Sequence, residues 1–441
     1  MGVDVRHGDS REVLKSLPKA SVDAVVTDPP YALVSIQKRF GKPGSAATRD
    51  GDVYSRSSAG FMGKQWDTGE TAFDVGFWKE VWRVLKPGGH VAAFGGTRTY
   101  HRLACAIEDA GFEIRDMIGW LYGSGFPKSH DVAKALDKRG GVWRGRAGPA
   151  VEGDAKRAFG QHYERTPKGG AVTDDGKSWE GWGTALKPSQ EPIVLGRKPL
   201  IGTVAQNVLT HGTGALNVDG CRVAYVSEED AAAAAAAAAQ RVCQDGPGIY
   251  GGLSGDGPKN EEQHQRAAAS LDGFLANQDK GRWPANLIHD GSDEVAAVFP
   301  DAGGAQAPVT GDEPSAKTDG VFGAYAGRAA SDRRDGGGSA ARFFYSAKAT
   351  KADRLSSKHP TVKPVDLMAW LCRLITPPGG TVLDPFAGSG TTGMACIREG
   401  FDAVLIEREA EYVADIKARL DHISGADCPL FAPIAGGTGD D

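Results

Sequence analysis

The chain has 441 residues, a formal net charge of -5 and 61 glycines. That length suits one large domain with insertions, or two to three domains. No apolar run approaches the ~20 residues that would span a bilayer, and the start, Met1-Gly2-Val3-Asp4-Val5-Arg6, leads into a strand pattern, not a signal peptide. Arg6 stands where a myristoylation signal needs Ser or Thr. Cys105, Cys221, Cys243, Cys372, Cys396 and Cys428 are scattered and form no CxxC pair. They indicate neither a zinc site nor a disulfide framework, so the expectation is no metal and a reducing cytoplasm.

Residues 3–9 read as a short strand ending at Asp9, with Ser10 as N-cap of a helix through Leu17. A strand over 22–28 leads into Asp28-Pro29-Pro30-Tyr31. Residues 32–70 are polar, glycine-rich and without period, a long loop. A helix over Phe73–Leu85 is stopped by Lys86-Pro87-Gly88-Gly89. A strand over His90–Phe94, a helix over Tyr100–Ala110 and a strand over Glu113–Tyr122 follow. Such alternation predicts a parallel α/β sheet with helices on its faces.

The pattern breaks near Gly123. To about Ala340 the chain is rich in Gly, Asp and Ala, apart from a strand near Glu191–Lys198 and the alanine run Ala231–Ala239, which reads as a spacer helix with acid in its first turn. Regular structure returns at Phe343–Lys348. Next come a helix over Val365–Ile375, strand 381–385, helix 391–399, strand 403–407 and helix 409–420. The expected division is 1–122, an insertion 123–340 from which the strand near 191–198 returns to the core, 341–423, and a flexible tail 424–441.

Strand 381–385 carries Asp384 and Pro385 into Phe386-Ala387-Gly388-Ser389-Gly390, with a helix starting at Thr391. In a doubly wound sheet ligands bind beyond the carboxyl ends of the strands. Gly388 and Gly390 allow a tight turn and close approach to a ligand. The absence of GK[ST] disfavours a nucleoside triphosphate site. Glu407, at the tip of the next strand, is placed to accept hydrogen bonds from ribose hydroxyls; the bland alternative is a solvated acid.

DPPY first and FAGSGTT last is an order that resembles the beta class of DNA amino-methyltransferases. Further matching stretches are Phe61–Asp67, Arg83–Gly89, Glu191-Pro192-Ile193, Phe343–Lys348 and His359-Pro360-Thr361-Val362-Lys363-Pro364. The resemblance covers about 1–130, 186–200 and 340–422, and its overall look is close to methylases carried by bacteriophages and prophages. It implies a Rossmann-like, circularly permuted α/β methyltransferase sheet with a large mixed insertion. Strand 381–385 would be central, 403–407 beside it, 3–9 beyond, and 22–28 on the other side.

The resemblance also implies S-adenosyl-L-methionine as cofactor, held by Asp28 and the segment Asp384–Thr391 with Glu407. His359, Thr361 and Lys363 would lie beside its methionine moiety, with Lys363 pairing to the carboxylate, and Asp9 on the adenine side. The exocyclic amine of adenine is a poor nucleophile because its lone pair is delocalised into the ring. Asp28 and the Pro29 carbonyl can each accept one N–H, favouring a pyramidal nitrogen and the positive charge that develops on it. Pro29 and Pro30 restrict φ and remove competing amide donors. Tyr31 offers a ring on which an extruded base stacks. DPPY favours adenine N6, with cytosine N4 as the alternative. Rivals are an N-methyltransferase acting on protein glutamine or RNA and, in another class, a catalytically silent DNA-binding protein.

Lys and Arg outnumber Asp and Glu two to one from Lys128 to Lys168. Within that stretch Arg144, Arg146, Lys156 and Arg157 are expected to contact phosphates of double-stranded DNA. Trp143, Trp179, Trp182 and Trp283 suit further contact, so 123–340 is the expected target recognition region. No membrane is involved in this reading. A homodimer and a restriction endonuclease partner stay open.

Overall fold

A computed structural model describes residues 2–31, 71–125, 129–143, 170–228, 280–301, 339–347, 353–355, 357, 359 and 361–424, with short pieces at 164–165, 230–231, 234, 319–320 and 323–324. Contacts divide the chain into two compact units, 1–122 with 190–441, and 123–189. The sequence reading drew its insertion to 340. Here the boundary falls at 189, because strands beyond it pair into the main sheet.

The first unit opens with β1 (Val3–His7), α1 (Ser10–Ser16), β2 (Val22–Thr27), α2 (Val75–Val84), β3 (Leu85–Phe94), α3 (Tyr100–Asp109) and β4 (Glu113–Leu121). The second unit holds α4 (Val132–Arg139), β5 (Val142–Trp143), β6 (Glu164–Arg165) and α5 (Asp174–Ser178). The chain rejoins the first with β7 (Gln190–Arg197), α6 (Val204–His211), β8 (Leu287–His289) and α7 (Asp293–Ala296). The pieces β9 (Asp319–Gly320) and β10 (Gly323–Ala324) pair with each other, and β11 (Tyr345–Ser346) joins the sheet. Last come α8 (Val365–Ile375), β12 (Thr381–Asp384), α9 (Thr391–Glu399), β13 (Asp402–Glu407) and α10 (Ala410–Ser424).

Nine strands form one sheet in the order β1-β13-β12-β2-β3-β7-β4-β8-β11. β12 is flanked by β13 and then β1 on one side and by β2 on the other, the predicted order. Every neighbouring pair is parallel except those of β7, which runs antiparallel to β3 and to β4. The sheet is therefore a mixed, doubly wound α/β sheet with one reversed strand, where alternation alone predicted parallel pairing.

Both faces are covered, which is why β2 reads as an unbroken apolar run and is buried at all six positions. On one face Ala24, Val26, Phe94, Ile193 and Val382 pack with Met368, Trp370 and Leu371 of α8 and Met394 of α9. On the other, Val25, Val91, Val194, Leu383 and Ile406 pack with Leu14, Phe77, Trp78 and Leu103 from α1, α2 and α3. Alternate residues of one strand thus serve two cores.

Local differences have local causes. Asp9 is the cap of α1, its carboxylate accepting the Arg11 N–H, so Ser10 is the first helical residue. The segment Lys86-Pro87-Gly88-Gly89 does not stand between α2 and β3. The strand begins at Leu85, and Gly88 N donates to Lys198 O while Lys198 N donates to Gly89 O. The alanine run falls largely outside the described residues. In the second unit the buried Asp137 accepts hydrogen bonds from Val172 N, Thr173 N and Thr173 Oγ1, tying α4 to the start of α5.

Candidate active site

Eight strands point the same way, so their carboxyl ends share one edge of the sheet. The Asp28 turn, the Phe386–Gly390 loop and Glu407 all emerge there. β7 is reversed, so it brings its first residues, Gln190 and Glu191, to that same edge. The two principal motifs are linked directly: Thr27 Oγ1 donates to Asp384 Oδ1 at 2.7 Å.

Asp28, Tyr31, Glu191 and Lys363 meet in one cluster. Lys363 Nζ lies 2.7 Å from Asp28 Oδ2, 3.1 Å from the Tyr31 hydroxyl and 3.1 Å from Glu191 Oε2. The Tyr31 hydroxyl in turn donates to Glu191 Oε2 at 3.0 Å. Thr99 Oγ1 donates to the Tyr31 carbonyl at 2.8 Å, so Tyr31 is held at both ends. Burial alone pulls the Lys363 ammonium down, but Asp28 and Glu191 outweigh it and leave its pKa raised. Burial, then the same two carboxylates, push the Tyr31 phenol well above its ordinary value. Asp28 Oδ1 is buried and has no hydrogen-bond partner among the described residues. A carboxylate oxygen shut from water and unpaired costs about 1–3 kcal/mol, and calls for a functional account.

The loop after β12 is built by its own backbone. Gly390 N donates to Ala387 O at 2.7 Å, and Ala387 N to Ile406 O at 3.0 Å. Gly388 and Gly390 have φ of 52° and 76°. A Cβ on Gly388 would stand 3.2 Å from His359 Nε2, and one on Gly390 2.9 Å from an Ile416 methyl. Both positions need glycine for conformation and for space. Asp384 is 2% exposed and accepts from Thr27, from Phe386 N and from Thr392 Oγ1. Burial raises its pKa to about 6. Glu407 accepts from Gly388 N at 2.8 Å and Glu409 N at 2.8 Å, and burial raises its pKa to about 7.

A family model described as DNA methylase matches residues 22–144 and 262–418, more than half of the chain. The chain belongs to this DNA methylase family. Among its relatives, the type II methyltransferase M.HindIII of Haemophilus influenzae is 24% identical over 230 residues, 48% of this chain and 64% of that one. M2.DpnII of Streptococcus pneumoniae is 39% identical over 71 residues, 16% of this chain and 26% of that one. The matches thus span less than two thirds of either relative. Among solved structures, the complex of M1.HpyAVI with SAM is similar at a TM-score of 0.37 and 15% identity, covering 95% of this chain and 99% of that one.

In this member of the DNA methylase family the residues singled out from sequence separate into three groups. Asp28, Tyr31 and Lys363 come together, with Pro29 buried behind them. The loop residues Asp384 to Thr391, with Glu407 and His359, form a second group. His359 Nε2 is beside Gly388, and its ring meets Tyr412 edge-on at 4.5 Å. Its Nδ1 lies 2.6 Å from Thr361 O. Asp9 stands at the β1 end of the same edge with both carboxylate oxygens on Arg11, which holds its pKa below the ordinary carboxylate value. Arg144, Arg146, Lys156 and Arg157 lie outside the described residues.

Two expected roles look different in place. The three donors of the Lys363 ammonium already face three oxygens, so pairing with a cofactor carboxylate would require an exchange of partners. Glu407 braces the loop through two backbone amides, and ribose contact would have to use its remaining lone pairs. Among the site residues to which sequence alone assigned no chemical role are Thr27, Thr99, Glu191 and the buried Arg419, whose guanidinium donates to the carbonyls of Ser389 and Asp353. The sequence signals for Glu191 are its place at the mouth of an apolar strand and in the family-like stretch Glu191-Pro192-Ile193, neither of which gives it a chemical role.

Proposed function

We propose that the chain is a site-specific DNA methyltransferase that transfers a methyl group from S-adenosyl-L-methionine to the exocyclic N6 of an adenine flipped out of double-stranded DNA. The observation that carries this reading is Asp28 Oδ1, a buried acceptor without a partner among the described residues, in a turn that Thr27 ties to Asp384 at the start of the glycine loop. The family supplies the reaction class, and the DPPY turn favours adenine. The glycine loop suits the cofactor by its place: it leaves the carboxyl end of β12 at the sheet edge beside the Asp28 turn, with positive φ at Gly388 and Gly390.

S-adenosyl-L-methionine supplies an electrophilic methyl on a sulfonium. Asp28 accepts one N–H of the amine through Oδ1, and the Pro29 carbonyl accepts the other. Together they draw the nitrogen lone pair out of conjugation and stabilise the charge that develops on nitrogen. Bound at the glycine loop, S-adenosyl-L-methionine would supply its methyl to that lone pair and leave as the neutral thioether, keeping the electrons of the broken bond. The amine then loses one proton to water. The Tyr31 ring stacks on the flipped base. Asp384, through Thr27, keeps the loop and the Asp28 turn in fixed relation.

Expression in a host free of DNA methylation, followed by sequencing that reports modified bases, tests the assignment. The expected result is N6-methyladenine at one recognition sequence, absent with Asp28→Ala. Methyl groups on cytosine N4 would move the target base. Unmodified DNA from a folded protein that binds S-adenosyl-L-methionine would make it a silent DNA-binding protein.

A further inference from the structure

Glu191 is the member of the cluster to which sequence alone assigns no chemical role. We propose that Glu191 is a positioning residue for methyl transfer, holding the Tyr31 hydroxyl and the Lys363 ammonium together so that Asp28 Oδ2 stays engaged and Oδ1 is the oxygen offered to the amine. This deepens the methyltransferase reading and rests on it.

The geometry carries the argument. Glu191 Oε2 takes the Tyr31 proton at 3.0 Å and faces Lys363 Nζ at 3.1 Å. Lys363 gives its other two contacts to Asp28 Oδ2 and the Tyr31 oxygen. An ammonium has three donors, and all three are used. Take Glu191 away and one donor is left without an acceptor inside a cluster where Lys363 is 11% exposed and Asp28 25% exposed. Asp28 Oδ1 is an unpaired acceptor among the described residues, on the same carboxylate that Lys363 already contacts. Lys363 then turns onto both Asp28 oxygens, and the amine loses its acceptor. The same change takes away the acceptor of the Tyr31 hydroxyl proton while Thr99 still holds the Tyr31 carbonyl. Charge works in the same direction. Two carboxylates around one ammonium leave a carboxylate in excess at the edge where a cationic methyl donor and a charging nitrogen must meet. The reversal of β7 is what makes this possible, because a parallel strand at that place would bring its last residues to the edge and leave Glu191 at the far end.

The test compares Glu191→Gln and Glu191→Ala, each alone and combined with Tyr31→Phe. Single-turnover transfer from labelled S-adenosyl-L-methionine to unmethylated genomic DNA is measured beside cofactor affinity by calorimetry and melting temperature. Glu191→Gln keeps the shape of the side chain, so it remains readable should Glu191→Ala fold poorly. The expected result is a transfer rate about tenfold or more below the parent, with cofactor affinity within about twofold. The Glu191→Gln loss should be smaller in the Tyr31→Phe background, because both changes break one network. A second measurement needs no activity: acetylation of Lys363 by acetic anhydride, read by mass spectrometry, should rise several-fold in Glu191→Ala while Lys198 stays unchanged. Rates within about twofold of the parent, or losses that simply multiply, would overturn the proposal. A parent protein that transfers no methyl to any DNA would instead overturn the methyltransferase reading, and the labelling would still report whether Glu191 holds Lys363.

Discussion

Asp28 combines two conditions that rarely coexist: one oxygen in an ion pair and the other buried without a partner. Replacing it with alanine should lower methyl transfer by about 10²–10³-fold, the scale of losing one preorganised polar contact to the transition state. The fold should survive, since Lys363 keeps Glu191 as counter-charge. Near-parental turnover in that variant would remove the turn from the chemistry. Glu407 sets a different test. Burial raises its pKa to about 7 from an ordinary 4.5, so its protonated form is favoured in the folded state. Its contribution is therefore fully present below about pH 4.5 and is lost as pH rises through about 7. The buried His90, His289 and His359 have lowered pKa values and act in the opposite sense, losing stability as pH falls. The difference between parent and Glu407→Gln isolates the acid. Chemical denaturation should show the parent losing about 1–3 kcal/mol relative to the variant between pH 5 and 8. A flat difference would mean that the two backbone amides on Glu407 fully offset its burial.

The loop between β12 and α9 shows how an element is fixed by what surrounds it. Gly390→Val would impose a left-handed φ of 76° on a β-branched residue and drive its Cβ to 2.9 Å from Ile416 of α10. A stability loss of about 2–4 kcal/mol is expected, together with weak cofactor binding. Gly388→Ala meets only the His359 ring at 3.2 Å, so its loss of stability should be smaller while S-adenosyl-L-methionine affinity falls about tenfold by calorimetry. Unchanged affinity in both would put the cofactor elsewhere. Elements with strong local signals were legible: α8 at Val365–Ile375 and α9 at Thr391–Glu399 have the boundaries read from sequence. β3 was not, because Pro87-Gly88-Gly89 carries a breaker's chemistry. Pairing of Gly88 and Gly89 with Lys198 overrides it.

The division of the whole chain offers a direct test. Leu121 at the end of β4 and Gln190 at the start of β7 are paired neighbours across an antiparallel ladder. Their Cα atoms stand about 5 Å apart, so a turn of two to four residues can join them. A protein with 123–189 replaced by such a turn should keep its circular dichroism and its S-adenosyl-L-methionine affinity. It should lose DNA binding, whose salt dependence we attribute to the basic stretch 128–168. Failure to fold would show that the second unit is needed to form the sheet, and full DNA affinity would place recognition outside it.

Sequence by itself determined the strands with strong apolar runs, β1, β2, β4, β7, β12 and β13, and, through motif order, that the Asp28 turn and the glycine loop are neighbours across the β2–β12 boundary, while β8 carried no such signal. Those properties are written in local runs, in turn chemistry and in motif order. Only the tertiary structure decided the company that Asp28 keeps. Lys363 and Glu191 lie far from it along the chain, and the approach of Glu191 depends on the reversal of β7, which no local pattern encodes. Strand direction is chosen by pairing across the sheet, so a residue at the mouth of a strand takes its role from the neighbours that pairing gives it.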